Sequence, residues 1–292
     1  MTSVFRKIVV LVRGADPEQR AVQRAVLCTS RITEVALLDV VHEPMLDGYM
    51  GNSAIYELLR TRVLAERAER MKELVAALRD LNVTGRALWD HPLDEAVAKE
   101  VRVRSADLVV IAPADANGLS QSDWRLVSTC PVPVLVVKAT PDRKYRHIVA
   151  AVDPFHLHAK PTELDLAILA HARDLQAQTG ATLSALHCFT PYDHLGTDFT
   201  KPMSRTSDAD ARRAELEVLL RKADLQGSAA RLEIGATHDV IKRLAERGEA
   251  DVVVMGALSR GRIKDWLIGS TAERVLHAAR VDVLAVKPDS VR

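Results

Sequence analysis

The C-terminal half of the chain carries a set of residues with the chemistry of an anion site. Gly256 follows the apolar run Val252–Met255, and Gly269-Ser270 opens a helical pattern marked by Val275, Leu276 and Ala279. Glycine lets a backbone turn sharply and lets a ligand approach it closely. Gly269 removes bulk in front of a helix N-terminus, whose free N–H groups favour phosphate. Arg260 and Arg262, between the two glycines, can add charge to phosphate oxygens. Asp153, just after the run Ile148–Val152, could accept hydrogen bonds from a sugar or from an amino group on a base. Each residue also has a plain structural use. Ser270-Thr271-Ala272-Glu273 reads as a capping box with Ser270 as the N-cap. Gly256 could simply end a strand, and Asp153-Pro154 could begin a turn. What points to a ligand is that all of them fall on one sheet edge.

The elements that would position them come from an internal duplication. Arg6-Lys7-Ile8-Val9-Val10 resembles Arg146-His147-Ile148-Val149-Ala150 at an offset of 140 residues. Ala106-Asp107-Leu108-Val109-Val110-Ile111 resembles Ala250-Asp251-Val252-Val253-Val254-Met255 at 144, and Val134–Lys138 resembles Val283–Lys287 at 149. The jump from 144 to 149 means that the first copy lacks five residues where the second carries its glycine-bearing loop. Short apolar runs read as buried parallel strands: Ile8–Val12, Glu34–Val41, Leu108–Ile111 and Val134–Val137, then Ile148–Val152, Thr182–Phe189, Arg231–Ile234, Val252–Met255 and Val283–Val286. Helical spacing lies between them at Leu164, Ala167, Ile168, His171 and Leu175 and at Val240, Ile241, Leu244 and Ala245. A long charged helix is expected over Tyr56–Arg79. Strand–helix alternation predicts an α/β fold of two tandem, doubly wound parallel sheets of Rossmann-like type, over residues 1–140 and 145–292. Pro141-Asp142 marks the linker.

The net charge of +1 gives no reason to expect nucleic acid or an anionic membrane as a partner. Three scattered cysteines with no CxxC pair fit a reduced cytoplasmic compartment. The apolar run near the N-terminus is too short for a signal-peptide core, and no stretch approaches membrane-spanning length.

Met255-Gly256-x2-Ser259-Arg260-x8-Gly269-Ser270 resembles the ATP-binding motif of universal stress proteins, G-x2-G-x9-G-[S/T], with its spacing kept. Ser122-Asp123-Trp124-Arg125-Leu126 and Cys130-Pro131-Val132-Pro133-Val134 are similar to the N-terminal half of the tandem, E-type bacterial members. The resemblance covers both halves. It implies an adenine nucleotide (ATP, ADP or AMP, with magnesium) bound by the C-terminal domain of a cytosolic regulatory or sensing protein. Carried onto matching positions, Asp153 takes the adenine and ribose side. Cys188 offers a backbone contact to adenine. Gly256, Ser259, Arg260, Gly269, Ser270 and Thr271 meet ribose and phosphates. Ser259 replaces the family's second glycine, and a serine is penalised if that position needs φ > 0. The resemblance also implies pairing of the two domains through their last strands, and a homodimer of chains is compatible with it.

The first copy departs from this pattern. Arg13 stands where Asp153 stands in the second, Pro113 and Asp115 sit in the shortened loop, and no Gly-Ser opens the last helix. No adenine nucleotide is expected there. His156, His158, His187, Cys188 and His194 could be imagined as zinc ligands, but their spacing matches no established pattern, and zinc is not expected. There is no Walker P-loop, no nucleophile elbow and no placeable acid–base pair, so no catalytic residue is assigned. Slow ATP hydrolysis and a ligand-free scaffold are the alternatives to a nucleotide-binding module.

Overall fold

The computed structural model describes residues 5–14, 16, 18–29, 32–47, 53–113, 118–155, 162–189, 205–257 and 268–287. The chain divides into two compact units, Phe5–Pro141 and Asp142–Arg292. The first runs β1 (Lys7–Leu11), α1 (Arg20–Cys28), β2 (Glu34–Val41), α2 (Pro44–Asp47), α3 (Ser53–Ala77), β3 (Asn82–Trp89), α4 (Leu93–Arg104), β4 (Leu108–Ile111), α5 (Gln121–Thr129) and β5 (Val134–Val136). The second runs β6 (His147–Ala151), α6 (Thr162–Thr179), β7 (Thr182–Phe189), α7 (Arg205–Lys222), β8 (Ala229–Ile234), α8 (Thr237–Glu246), β9 (Val252–Gly256), α9 (Ser270–Ala278) and β10 (Asp282–Val286).

Within the first unit the strand order is β3-β2-β1-β4-β5, and within the second it is β8-β7-β6-β9-β10. The paired strands are parallel. Each unit is thus an α/β, doubly wound parallel sheet. Its central strands are branched aliphatics buried on both faces, among them Val9, Val10, Val110, Ile111, Val149, Val253 and Val254. In both units the strand order reverses between the first and fourth strands. That switch point opens a crevice at the carboxyl ends, where such sheets take ligands.

One strand was not foreseen. β3 lies at the edge of its sheet and is only partly buried, so its sequence mixes polar and apolar residues instead of running apolar. Gly85 at its centre makes room for α3: a Cβ there would lie 2.6 Å from Met71 Cγ and 2.8 Å from Val75 Cγ2.

The repeated Ala-Asp-aliphatic segment has a structural cause. Asp107 Oδ2 accepts hydrogen bonds from the backbone N–H groups of Arg6 (2.9 Å) and Lys7 (3.0 Å), while the Asp107 N–H donates to the Lys7 carbonyl at 2.7 Å. Asp251 repeats this in the second unit. It accepts from Arg146 N at 2.7 Å and His147 N at 2.9 Å and donates to the His147 carbonyl at 2.9 Å. Each aspartate clamps the foot of the fourth strand to the foot of the first. Hydrogen bonds to a charged acceptor contribute more than neutral ones. Asp107→Ala is therefore expected to destabilise the first unit by about 2 kcal/mol, measured by urea unfolding followed through Trp89 and Trp124 fluorescence.

Candidate functional site

In the second unit the switch point lies between β6 and β9. Ala151 is paired with Met255, so two residues further along each strand Asp153 and Ala257 leave the sheet side by side. Asp153 is 9% exposed, and its backbone N–H donates to Oδ1 of the fully buried Asp165 on α6 at 3.2 Å. Asp153 Oδ1 is itself buried, and among the described residues it accepts no hydrogen bond. His187 Nδ1 stands 3.9 Å from it, too far for a hydrogen bond. Met255 and Gly256 end β9 in buried positions, with the Ala257 N–H donating to the Val286 carbonyl at 2.9 Å.

Gly256 has a packing reason to be glycine. A Cβ there would come within 2.7 Å of Leu164 Cδ2 and 3.2 Å of Leu164 Cγ, so α6 lies directly on the strand end.

At the last helix the observed cap differs from the expected one. Gly269 is the N-cap of α9, Ser270 is the first helical residue, and among the described residues no side-chain cap is formed. With no side chain at the cap, glycine cannot close the capping box read from Ser270 and Glu273. Ser270 is exposed and Thr271 half-buried at the first turn. The capping box stands instead in the first unit, at the equivalent position on α5. Ser120 Oγ accepts from Asp123 N at 3.2 Å, and Asp123 Oδ2 accepts from Ser120 N at 2.9 Å. Asp123 is fully buried and ion-paired with Arg13, the residue in the place of Asp153. The two units thus treat one helix end in opposite ways. In the first unit the cap is closed by Ser120 and Asp123, and in the second the cap residue has no side chain.

Ser259, Arg260, Gly261 and Arg262 lie outside the described residues, as do Asp115, His156, His158 and His194. Cys188 is half-buried on β7, in register with Glu233 of β8. Burial pushes its thiol from 9.0 up to about 12; a hydrogen bond with Thr237 and the charge of Arg243 lower it in part, and Glu233 raises it. It is a neutral thiol at physiological pH. His187 is engaged at both ring nitrogens. Nε2 faces Arg212 Nη1 at 3.2 Å, and Nδ1 faces the Val152 carbonyl at 3.3 Å. Because arginine only donates, Nε2 accepts, and the proton sits on Nδ1. Among the described residues no group of three or more His, Cys, Asp or Glu side chains is placed to hold a metal ion.

A feature that sequence reasoning missed surrounds this histidine. Arg212 of α7, 1% exposed, lies between the rings of Phe155 (4.9 Å) and Phe189 (4.7 Å), where cation–π attraction offsets part of its burial cost. It meets His187, whose other ring nitrogen stands 3.9 Å from Asp153 Oδ1. Nothing in the charged stretch Asp208–Arg213 sets this arginine apart from its solvated neighbours.

Two measurements check this geometry. Gly256→Ala is expected to destabilise the second unit by about 1–3 kcal/mol, and a Leu164→Ala background should remove most of that cost, visible as a coupling in a double-mutant cycle. For Cys188, the unfolded chain loses the thiol proton near 9.0 and the folded chain only near about 12. This group therefore leaves stability unchanged below 9.0 and lowers it as pH rises from there towards about 12. In a Cys28→Ala, Cys130→Ala variant, thiolate absorbance should accordingly stay absent until strongly alkaline pH.

Comparison with known proteins agrees with the fold. The model of the universal stress protein family matches residues 5–138 and again 144–287. Universal stress protein E of Escherichia coli (strain K12) is 27% identical over 219 residues, 70% of this chain and 68% of its own. The universal stress protein E homolog of Haemophilus influenzae is 22% identical over 313 residues, 97% of this chain and 98% of its own. Among solved structures, one described as a universal stress protein of Pseudomonas aeruginosa UCBPP-PA14 superposes with a TM-score of 0.70 at 24% identity, covering 98% of this chain and 94% of that one. One from Archaeoglobus fulgidus gives 0.62 at 16%, covering 97% and 98%. With the family's domain matched twice over nearly its whole length, this chain belongs to the universal stress protein family as a tandem-domain member.

Proposed function

We propose that the second unit binds an adenine nucleotide and that the chain acts as a cytosolic regulatory or sensing module in the stress response. The observation that carries this reading is the Asp153 carboxylate. Its Oδ1 is buried at the switch point with no hydrogen-bond donor among the described residues. A buried unsatisfied acceptor costs about 1–3 kcal/mol, and a ribose hydroxyl or an adenine amino group would satisfy it. The N-terminus of α9 supports the same reading, because its N-cap Gly269 has no side chain to offer the first-turn N–H groups. Ser270 and Thr271 lie on that turn. Ser259 and Arg260 belong to the proposal through the motif spacing, and Cys188 through its place near the end of β7. The expected pairing through the last strands belongs to the proposal as well; β5 and β10 each stand at the end of their own unit's strand order.

A second reading, a ligand-free scaffold, is favoured by the packing around the ends of β7 and β9. Leu164 occupies the space over Gly256, and Arg212 sits between Phe155 and Phe189. The two readings differ in one titration. Calorimetry with ATP and magnesium is expected to give saturable heat for the unaltered chain. That heat should weaken about tenfold or more in Asp153→Ala and vanish in Gly269→Val. No heat for any of the three would leave the scaffold, and equal heats for all three would place the nucleotide away from Asp153 and Gly269. Phosphate release that disappears in the same variants would add slow hydrolysis to the binding function.

A further inference from the structure

The first unit holds a cavity of about 560 Å³ at the carboxyl ends of β1 and β2. The size suits a small molecule. Its floor includes Val12 and Asp39, and its walls come from α3, the start of α4 and the first turns of α5. Three arginine–carboxylate pairs surround it. Arg13 pairs with Asp123, Arg67 Nη1 stands 3.7 Å from Asp39 Oδ2, and Arg125 Nη2 stands 3.4 Å from Asp94 Oδ2. Asp39 and Asp94 are 5% and 4% exposed. Asp94 Oδ1 is buried, and among the described residues nothing donates to it. At one side the rings of His42 and His91 stack at 4.2 Å and 21°.

This lining selects by chemistry. A phosphate meets carboxylates at both helix starts that face the cavity: Asp123 in the first turn of α5, where it holds Arg13, and Asp94 with Glu95 in the first turn of α4. A simple cation finds the buried Asp39 and Asp94 already facing arginines, and Asp90 already accepting from the His91 N–H. An apolar ligand would strip water from charged groups and return no hydrogen bonds. A hydroxyl group both donates and accepts, so it can donate to an aspartate and accept from the arginine beside it.

We propose that this cavity binds a small neutral polyhydroxylated molecule, the size of a mono- or disaccharide, between the Arg67–Asp39 and Arg125–Asp94 pairs. The site is independent of the nucleotide reading, which concerns the other unit. The unpartnered Asp94 oxygen takes one hydroxyl, and the stacked histidines offer a flat side to the ring. Desolvation by burial raises the Asp39 carboxyl above its ordinary range, with Arg67 and Arg70 opposing. That is the environment in which a donated hydroxyl hydrogen bond gains most.

The test is calorimetry and saturation-transfer NMR on the full chain with D-glucose, D-ribose, myo-inositol and maltose. Putrescine and inorganic phosphate serve as probes of the other charge classes. At least one polyol is expected to bind. Asp94→Asn should weaken it about tenfold. Ser122→Trp, which fills the cavity from a half-buried wall position, should abolish it at an unchanged melting temperature. Gly269→Val should leave it intact. Binding of putrescine or phosphate without any polyol, no polyol binding at all, or polyol binding retained in Ser122→Trp overturns the proposal. If Asp94→Asn does not fold, Ser122→Trp decides alone.

Discussion

Each unit rests on one carboxylate at the foot of its sheet. Asp107 and Asp251 each hold the first strand by two side-chain hydrogen bonds and one backbone hydrogen bond. They fix the register between the first and fourth strands, and that register decides which residues emerge together at the opposite edge. A slip of one residue would turn every side chain of a strand to the other face. Asp153 stands beside Ala257, and not elsewhere, because Asp251 sets the ladder some way below. The aspartate is the part of the repeat that both copies keep, and its task is architectural.

On this common frame the two copies have taken opposite charge arrangements. The first has Arg13 at the end of its first strand and Asp123 in the first turn of its last helix, and the two are paired. The second has Asp153 and Ala272 at the equivalent places. A similar contrast holds for the arginines that reach in from the helix before the third strand. Arg67 reaches Asp39 across the bare backbone of Gly14, whereas Arg212 stacks between two phenylalanines and meets His187. The duplication preserved geometry and changed chemistry, so the family name alone does not assign a ligand to each half.

Much of the fold was legible in the chain, for a physical reason. Strands buried on both faces must be continuously apolar, and the central strands announce themselves in that way, while the edge strand β8 was read only over its second part, Arg231–Ile234. β3 did not, because an edge strand with one covered face has no need of such a run. The site was less legible. Gly256 and Gly269 look alike in the sequence, yet one makes way for Leu164 and the other leaves a helix end bare. Ser270 and Glu273 spell a capping box, but the helix starts one residue earlier than that box requires. Arg212 gave no sign of its burial, since the aromatic rings that hold it come from distant segments. The cavity of the first unit was equally hidden, because its three ion pairs join residues more than twenty positions apart.

The link between Arg13 and Asp123 has a wider meaning for the whole polypeptide. A helix end that carries its own counter-ion needs no anion from the surrounding solution. The equivalent end in the second unit starts on a glycine that has no side chain to offer. Duplication has in this way set a helix start closed from within beside one left open at its cap residue, in a single chain.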